Sequence, residues 1–163
     1  MAIKVDDSIY YAMGLGKILI NLQSLEYCIR YFLLSLEKNI PPFSINPRSF
    51  KKGDRQPLNS FTNIDTLSPL IDKFNRRVKN RYPKYRLDKT LVDLRDAIVH
   101  GRISSSQPGL PVWLLNFKKD QHGIYVAVAE EITRGWLDHQ LHRLFLESKK
   151  ILAAGKAMGV NFS

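Results

Sequence analysis

Apolar residues recur at every third or fourth position between Ser8 and Asn39, and this spacing predicts one long amphipathic helix. The apolar stripe consists of Leu15, Ile18, Leu22, Leu25, Ile29, Phe32 and Leu36, and Leu19, Cys28 and Leu33 widen it. Proline removes a backbone donor and clashes with the preceding turn of a helix. Because Pro41 and Pro42 follow the stripe, the first helix is expected to end before them.

The next part of the chain predicts a long loop and then two helices. Residues 40–66 are rich in proline and show no sustained period, and a loop of this length in a compact domain is usually functional or mobile. The second helix is predicted to carry its apolar face on Leu67, Leu70, Ile71, Phe74 and Val78. It is expected to end before Pro83, because the residue before a proline avoids the helical region. The third helix is expected to begin near Leu87 and to contain the sequence LVDLRDAIVHG.

After Gly101 the pattern changes from helical periods to short apolar runs. The sequence SSSQPGLP is typical of a turn-rich connector, and the runs VWLLNF and IYVAVA flank the polar sequence KKDQHG. Such runs predict a β-hairpin, here with a six-residue loop. Thr133 is predicted to cap a last helix, because Ile132 and Leu137 stand at the spacing of a hydrophobic staple.

Four substantial helices and one hairpin favour a mainly all-α fold. We expect a helical bundle of four main helices, with the small hairpin between the third helix and the last. A chain of 163 residues is long enough to bury roughly two thirds of its surface in one core. A single domain over residues 1–163 is therefore predicted.

The charge balance points to a polyanionic partner. The chain has 25 Lys and Arg residues against 15 Asp and Glu residues, a formal net charge of +10, which favours nucleic acid first and an anionic membrane surface second. Its one cysteine, Cys28, cannot form an internal disulfide and suits a reducing compartment. The N-terminal sequence does not resemble a signal peptide, and charged residues interrupt the longest apolar stretches. A soluble cytoplasmic protein without a membrane partner is predicted.

The third helix carries Arg95, Asp96 and His100 just before Gly101. An arginine in a core helix is costly unless it is paired, which favours a functional site over a surface ion pair and a simple helix end. Arg95 and His100 are five residues apart, so a straight helix places them about 140° apart around its axis. Two arrangements would bring them together. Gly101 as a C-cap would let His100 turn, or two copies of the helix would meet in a symmetric dimer.

The sequence RDAIVHG resembles the signature of the HEPN superfamily. That signature is an Arg, an adjacent polar residue and, after four to six intervening residues, a His near the end of a core helix. Arg95, Asp96 and His100 occupy these positions. The order of a long first helix, a signature helix, a hairpin and a final helix is also similar to certain bacterial members. The resemblance implies a HEPN-like dimer of helical bundles and, in catalytic members, RNA cleavage without a metal or other cofactor.

The chemistry that the resemblance implies suits these side chains. RNA carries its own nucleophile, the 2′-OH, so cleavage needs a base, an acid and a cation at the phosphate. His100 would act as acid or base, Arg95 would hold the phosphate bidentately, and Asp96 would orient one of them. The products would be a 2′,3′-cyclic phosphate and a 5′-hydroxyl. Where one subgroup of the family has a modified Tyr two residues after the His, this chain has Arg102.

The partners follow from the same interpretation. RNA and a second copy of the chain are expected, with an antitoxin or other regulatory protein as a further partner of a toxin or defence nuclease. The alternative is a non-catalytic member that binds nucleic acid or a nucleotide, or serves as a partner-interaction subunit. The residues predicted to contact RNA are Lys73, Arg76, Arg77, Lys79, Arg81, Lys84, Arg86 and Arg102. Tyr82 and Tyr85 lie within this run and suit base stacking, whereas the simpler interpretation is a solvated helix face and a basic turn.

Two further patterns have structural interpretations. His139 and His142 have a spacing that suits a metal, but no third strong ligand is evident nearby, so no metal site is predicted. Glu26 lies within the apolar run of the first helix, and an ion pair with Arg30 four residues later explains it.

Overall fold

The computed structural model describes residues 5–37, 48, 50–104 and 111–160. These residues form four α-helices and three β-strands. The helices are α1 (Val5–Glu37), α2 (Leu67–Val78), α3 (Leu91–His100) and α4 (Arg134–Ala157), the strands are β1 (Arg102–Ser104), β2 (Val112–Asp120) and β3 (Gly123–Ile132), and Pro83–Tyr85 forms a 3-10 turn. The predicted loop over residues 40–66 lies partly outside the described residues.

The prediction of an all-α bundle with a two-stranded hairpin is wrong. The three strands form one antiparallel sheet in the order β1-β2-β3, so the fold is mixed, although largely helical. Strand β1 was not predicted. It has only three residues, all exposed, and follows α3 directly, so it offers neither an apolar run nor an alternating pattern. Its register is set by β2, with Arg102 opposite Leu115.

The predicted six-residue hairpin loop is also wrong. Strands β2 and β3 pair from Val112 opposite Ile132 to Asp120 opposite Gly123, which leaves a turn of two residues. The Asp120 carboxylate accepts the backbone N–H of His122 at 2.7 Å, and Gly123 has a φ of +131°. Only Gln121 and His122 form the turn, and the other four residues of KKDQHG belong to the strands. Polar residues and glycine are typical of such tight turns.

The described residues group into two compact units. Unit 1 comprises the chain up to Gln23 and Lys89–Phe145, and unit 2 comprises Ser24–Asp88 and the chain from Leu146 onward. The prediction of one domain over residues 1–163 stays a prediction.

Unit 2 confirms the predicted second helix. The five apolar residues of α2 are at most 1% exposed, and the ring of Phe74 lies 4.7 Å from that of Phe32. Asn75, on the same helix, donates to the carbonyl of Leu87 at 3.0 Å and accepts its N–H at 2.7 Å. Because both backbone groups of Leu87 are engaged by Asn75, helical bonding does not begin there. The prediction that α3 starts near Leu87 is therefore wrong by four residues.

Arg30 ties α1 to the segment that precedes α2, also within unit 2. Its predicted ion pair with Glu26 is confirmed, at 3.0 Å. The same guanidinium donates to the carbonyl oxygen of Asn63 at 2.9 Å and to its side-chain oxygen at 2.7 Å, and it also reaches the carbonyl of Asp65. The side chain of Arg30 is only 13% exposed. A pair predicted as local support for a helix is thus part of a larger network.

Unit 1 packs α3 against the sheet. Helix α3 contacts both β2 and β3, and it buries Leu91, Leu94 and Ala97. The start of α4 follows β3 directly, and the hydroxyl of Thr133 accepts the N–H of Trp136 at 3.0 Å, which confirms the predicted N-cap.

Candidate functional site

Helix α3 places Arg95 and Asp96 at the edge of its buried face. An Arg95 guanidinium nitrogen lies 3.0 Å from a carboxylate oxygen of Asp96, and the two side chains are 29% and 30% exposed. The buried positions of the helix are Leu91, Leu94 and Ala97. Arg95 and Asp96 thus form a partly exposed ion pair, which the simpler interpretation of a surface pair also predicts. Arg95 is paired and reaches solvent, so it can contact a ligand without the cost of a buried charge.

His100 is the last residue of α3 and is exposed. The helix stays regular up to this point, so Arg95 and His100 remain about 140° apart around the axis and about 7.5 Å apart along it. Within the described part of the chain, no hydrogen bond or ion pair joins His100 to Arg95 or Asp96. One chain thus brings Arg95 and Asp96 together but leaves His100 apart.

Gly101 is the C-cap residue of α3, which confirms the prediction for this position. Its φ of −73° and ψ of 177° are extended, so the cap is not of the left-handed type. Its N–H donates to the carbonyl of Ala97 at 2.8 Å. A Cβ atom at this position would lie 2.0 Å from the Ala97 oxygen and 2.8 Å from the carbonyl oxygen of Leu115. Glycine is required here because the backbone passes directly from helix to strand against two carbonyl groups.

The strand that follows carries Arg102, the residue nearest in sequence to His100 among those predicted to contact RNA. Arg102 is exposed, and its guanidinium carbon lies 5.2 Å from the centre of the Phe117 ring. This cation–π contact holds the positive charge on the sheet face without neutralising it. On the neighbouring strand β2, Lys118 forms an ion pair with Asp93 of α3 at 2.8 Å. The hydrogen bond to Asp93 raises the pKa of the Lys118 ammonium.

Several large apolar side chains near His100 and Arg102 are exposed. Val99 and Ile103, which flank this corner of the chain, are 44% and 53% exposed. On the sheet, Trp113 and Phe117 are 41% and 40% exposed, and the strand register places both on the same face as Arg102. The sequence alone did not single out these residues. The alternation of Trp113, Leu115 and Phe117 along β2 is the signal that could have found this face.

The other residues predicted to contact RNA lie in unit 2. They are Lys73, Arg76 and Arg77 on α2, then Lys79, Arg81, Lys84 and Arg86 between Val78 and Leu87. All of them are exposed except Lys73, which is half-buried and paired with Asp65 at 2.5 Å. Arg81 and Lys84 stand over the rings of Tyr82 and Tyr85, at 5.5 and 5.1 Å from the ring centres. The predicted residues therefore form two groups, one in each unit.

The described residues contain neither a metal-binding cluster nor a helix that could cross a membrane. Across residues 5–37, 48, 50–104 and 111–160, no group of three or more His, Cys, Asp or Glu side chains could hold a metal ion. His139 and His142 are both exposed on α4. In the same part of the chain, every helix is too short or too polar to cross a membrane.

Comparison with known proteins assigns no family to the chain. No protein-family model matches it, and neither the curated proteins nor the solved structures contain a match. The resemblance to the HEPN superfamily therefore stays a prediction that rests on the residues of α3.

Proposed function

We propose that the protein is a metal-independent RNA endonuclease of the HEPN superfamily, of the toxin or defence type, that acts as a homodimer in the cytoplasm. The observation that carries the proposal is the end of α3. There an accessible Arg95–Asp96 pair and an exposed His100 lie within six residues, in a chain of net charge +10. Each of these side chains has a role in cleaving RNA, and each reaches solvent.

A dimer supplies the arrangement that one chain lacks. Because Arg95 and His100 point about 140° apart on a straight helix, one copy cannot aim both at the same phosphate. A two-fold axis beside α3 would bring two His100 side chains into one cleft. The exposed Val99 and Ile103 support such an interface, since apolar side chains beside this corner would be covered by a second copy.

In the proposed reaction, one His100 takes the proton from the 2′-OH of the substrate. The 2′ oxygen attacks the phosphorus atom, and the bond to the 5′ oxygen breaks. The second His100 gives a proton to the leaving 5′ oxygen. Arg95 binds the non-bridging oxygens with two parallel N–H donors, and Asp96 holds that guanidinium in place through the 3.0 Å ion pair. The products are a 2′,3′-cyclic phosphate and a 5′-hydroxyl.

RNA binding in this proposal uses exposed cations. Arg102 follows the signature directly, and Phe117 supports its charged head. The basic residues of unit 2 add phosphate contacts, each of which releases counterions and makes the affinity fall with salt. An antitoxin or other regulatory protein would restrain the nuclease by covering its active surface.

The alternative function is a non-catalytic module that binds nucleic acid or a nucleotide, or a subunit that contacts a partner protein. The specific observation in its favour is that Asp96 already neutralises Arg95 within one chain. In this case the same residues bind a ligand, and RNA affinity shows a steep salt dependence without any cleavage that requires His100.

The test is cleavage of total RNA and of single tRNAs by the purified protein in EDTA. We expect the wild-type protein to leave 2′,3′-cyclic phosphate ends, and Arg95→Ala and His100→Ala to lose at least about a hundredfold in rate. His139→Ala is the matched control, because it removes an exposed histidine from α4 of the same unit, and its rate should stay within about twofold. Undiminished cleavage by His100→Ala would refute the catalytic role. RNA binding without cleavage by the wild-type protein would favour the alternative.

A further inference from the structure

A cleft on the surface of unit 2 contains three of its cations. It has a volume of about 400 Å³ and is lined by Leu33, Glu37, Ser60, Lys73, Arg76 and Arg77. The size lies at the small end of the range for ligand sites, which is roughly 300–1,000 Å³. One wall is apolar, through Leu33, and the others are polar. The cleft belongs to residues that the proposed cleavage does not use as catalytic groups.

The charged residues around this cleft differ in whether another side chain already binds them. Lys73 is paired with Asp65, and the carboxylate of Glu37 accepts the N–H of Ser60 at 3.1 Å and also its hydroxyl. Arg76 and Arg77 are exposed, and across the described residues no carboxylate forms an ion pair with either. Arg76 and Arg77 therefore line the cleft without an ion-pair partner among the described residues, and together with the Glu37 carboxylate they leave the lining with one positive charge in excess.

We infer that this cleft binds a phosphomonoester carried on a hydroxylated group, such as the 5′-phosphate of a nucleoside. Arginine presents a planar fork of N–H donors that matches phosphate oxygens bidentately, and two such forks suit a group with three terminal oxygens. A phosphomonoester carries nearly two negative charges near neutral pH, whereas a backbone phosphodiester carries one. The free guanidinium groups of Arg76 and Arg77 match the doubly charged group.

Glu37 and the volume of the cleft further restrict the class of ligand that fits. A bare phosphate would leave most of a 400 Å³ cleft unfilled, so a larger group is attached to it. The Glu37 carboxylate has lone pairs beyond those that Ser60 uses, and carboxylates accept hydrogen bonds from ribose hydroxyls. Leu33 offers an apolar contact to the remainder. A nucleoside 5′-phosphate has a phosphate for the two arginines, ribose hydroxyls for Glu37 and a base that can contact Leu33.

The position of the two arginines also has a simpler explanation, which the test must separate. Both lie in the last turn of α2, where a cation interacts favourably with the helix dipole. Replacement by lysine keeps that charge and the dipole interaction but removes the planar fork. The lysine variants therefore distinguish a phosphate site from a pair of helix-stabilising charges.

The experiment is isothermal titration of the full chain with 5′-AMP, inorganic phosphate and adenosine. We expect 5′-AMP to bind more tightly than inorganic phosphate, and adenosine to bind most weakly. Arg76→Lys and Arg77→Lys should each weaken 5′-AMP binding by about tenfold, because a lysine cannot bind bidentately. Lys156→Gln is the matched control. It removes an exposed cation from the last turn of α4, also in unit 2, that does not line the cleft, and the affinity for 5′-AMP should change by less than about twofold.

Two sources of the phosphomonoester are separated by a second titration. A hexamer of RNA with a 5′-phosphate is compared with the same hexamer bearing a 5′-hydroxyl, in both wild-type and Arg77→Lys protein. A preference for the phosphorylated end that Arg77→Lys removes identifies an RNA terminus as the ligand. Equal affinity of the two hexamers, together with 5′-AMP binding, identifies a free mononucleotide.

The inference is overturned if 5′-AMP does not bind, or if Lys156→Gln weakens its binding as much as the lysine variants do. It is also overturned if the lysine variants bind 5′-AMP as well as the wild type does. It does not rest on the proposed cleavage, because Arg76 and Arg77 lie in unit 2 and the α3 residues in unit 1. Binding of 5′-AMP is measured without RNA, so either proposal can fail while the other holds.

Discussion

Replacing Gly101 with alanine tests whether the backbone between His100 and Arg102 is as tightly enclosed as the structure shows. An added Cβ would lie 2.0 Å from the Ala97 carbonyl oxygen, whereas real Cβ atoms essentially never approach a heavy atom within 3.0 Å. The backbone would have to move by about 1 Å. This movement breaks the hydrogen bond from the Gly101 N–H and pulls Arg102 away from its partner on β2.

The expected loss of stability can be worked out from these contacts. Overpacking costs about 1–3 kcal/mol, and a lost backbone hydrogen bond costs about 1 kcal/mol. The free energy of unfolding should therefore fall by about 2–4 kcal/mol in Gly101→Ala. For a chain of this size each kcal/mol lowers the melting temperature by about 2–4 °C, so a fall of about 4–16 °C is expected.

Two other glycines provide matched controls for the same chemical change. Apart from the backbone of its own helix and its chain neighbours, no atom of the described residues lies within 4 Å of a Cβ added at Gly16 of α1. Gly16→Ala should therefore raise the free energy of unfolding by about 0.5–1 kcal/mol through helix propensity alone. At Gly14 the added Cβ would meet a methyl carbon of Leu137 at 2.7 Å, a side chain that can shift, so the loss should be about 1 kcal/mol.

The assay is urea unfolding followed by circular dichroism, with the wild type and the three variants compared at equal protein concentration. The predicted order of stability is Gly16→Ala, wild type, Gly14→Ala and Gly101→Ala. A Gly101→Ala variant as stable as Gly14→Ala, or more so, would refute the reasoning. It would mean that the chain leaves α3 by a route that has room for a side chain.

Two further predictions concern unit 2. Arg30→Met removes the donor to Glu26, Asn63 and Asp65. It should lower the free energy of unfolding by about 3 kcal/mol, the range for a mostly buried charged network. A loss below about 1 kcal/mol in urea unfolding would contradict this prediction. Burial raises the pKa of the Cys28 thiol, so its alkylation by iodoacetamide should reach half-maximal rate at a higher pH than that of a free cysteine. The folded state then keeps a proton that the unfolded state loses, so this contribution to stability is present at neutral pH and is lost as the pH rises through the thiol's folded pKa. An alkylation midpoint at or below that of free cysteine would contradict the prediction.

The helical part of the fold could be predicted because its signals are local. The five apolar positions of α2 recur at helical spacing and are all buried, and the staple around Thr133 marked the start of α4. Strand β1 could not be found in this way. Its three residues pair with β2 from Arg102 opposite Leu115 onward, and Gly101 passes close to the same Leu115, fourteen positions further along the chain. A contact of that kind leaves no periodic pattern in the sequence.

The candidate site shows the same division between local and long-range information. The Arg95–Asp96 pair and the exposed end of α3 follow from neighbouring residues, and the sequence identified them. The end of α3 also involves a long-range contact, because a side chain at Gly101 would meet the carbonyl oxygen of Leu115 at 2.8 Å. The cleft of unit 2 depends on Glu37 and Ser60, which lie far in sequence from Arg76 and Arg77. The basic run was visible in the sequence, but its concave surroundings were not.

Gly101 connects these observations with the proposed chemistry. Its extended backbone keeps α3 regular through His100, so Arg95 and His100 stay on different sides of the helix, and the same backbone starts β1 with Arg102. Of the two arrangements that the sequence allowed, the proposed function uses convergence of two copies, because α3 stays helical through His100 and Gly101 caps it with an extended backbone. The exposed Val99 and Ile103 on either side of the glycine are then the apolar contacts that such a dimer would bury.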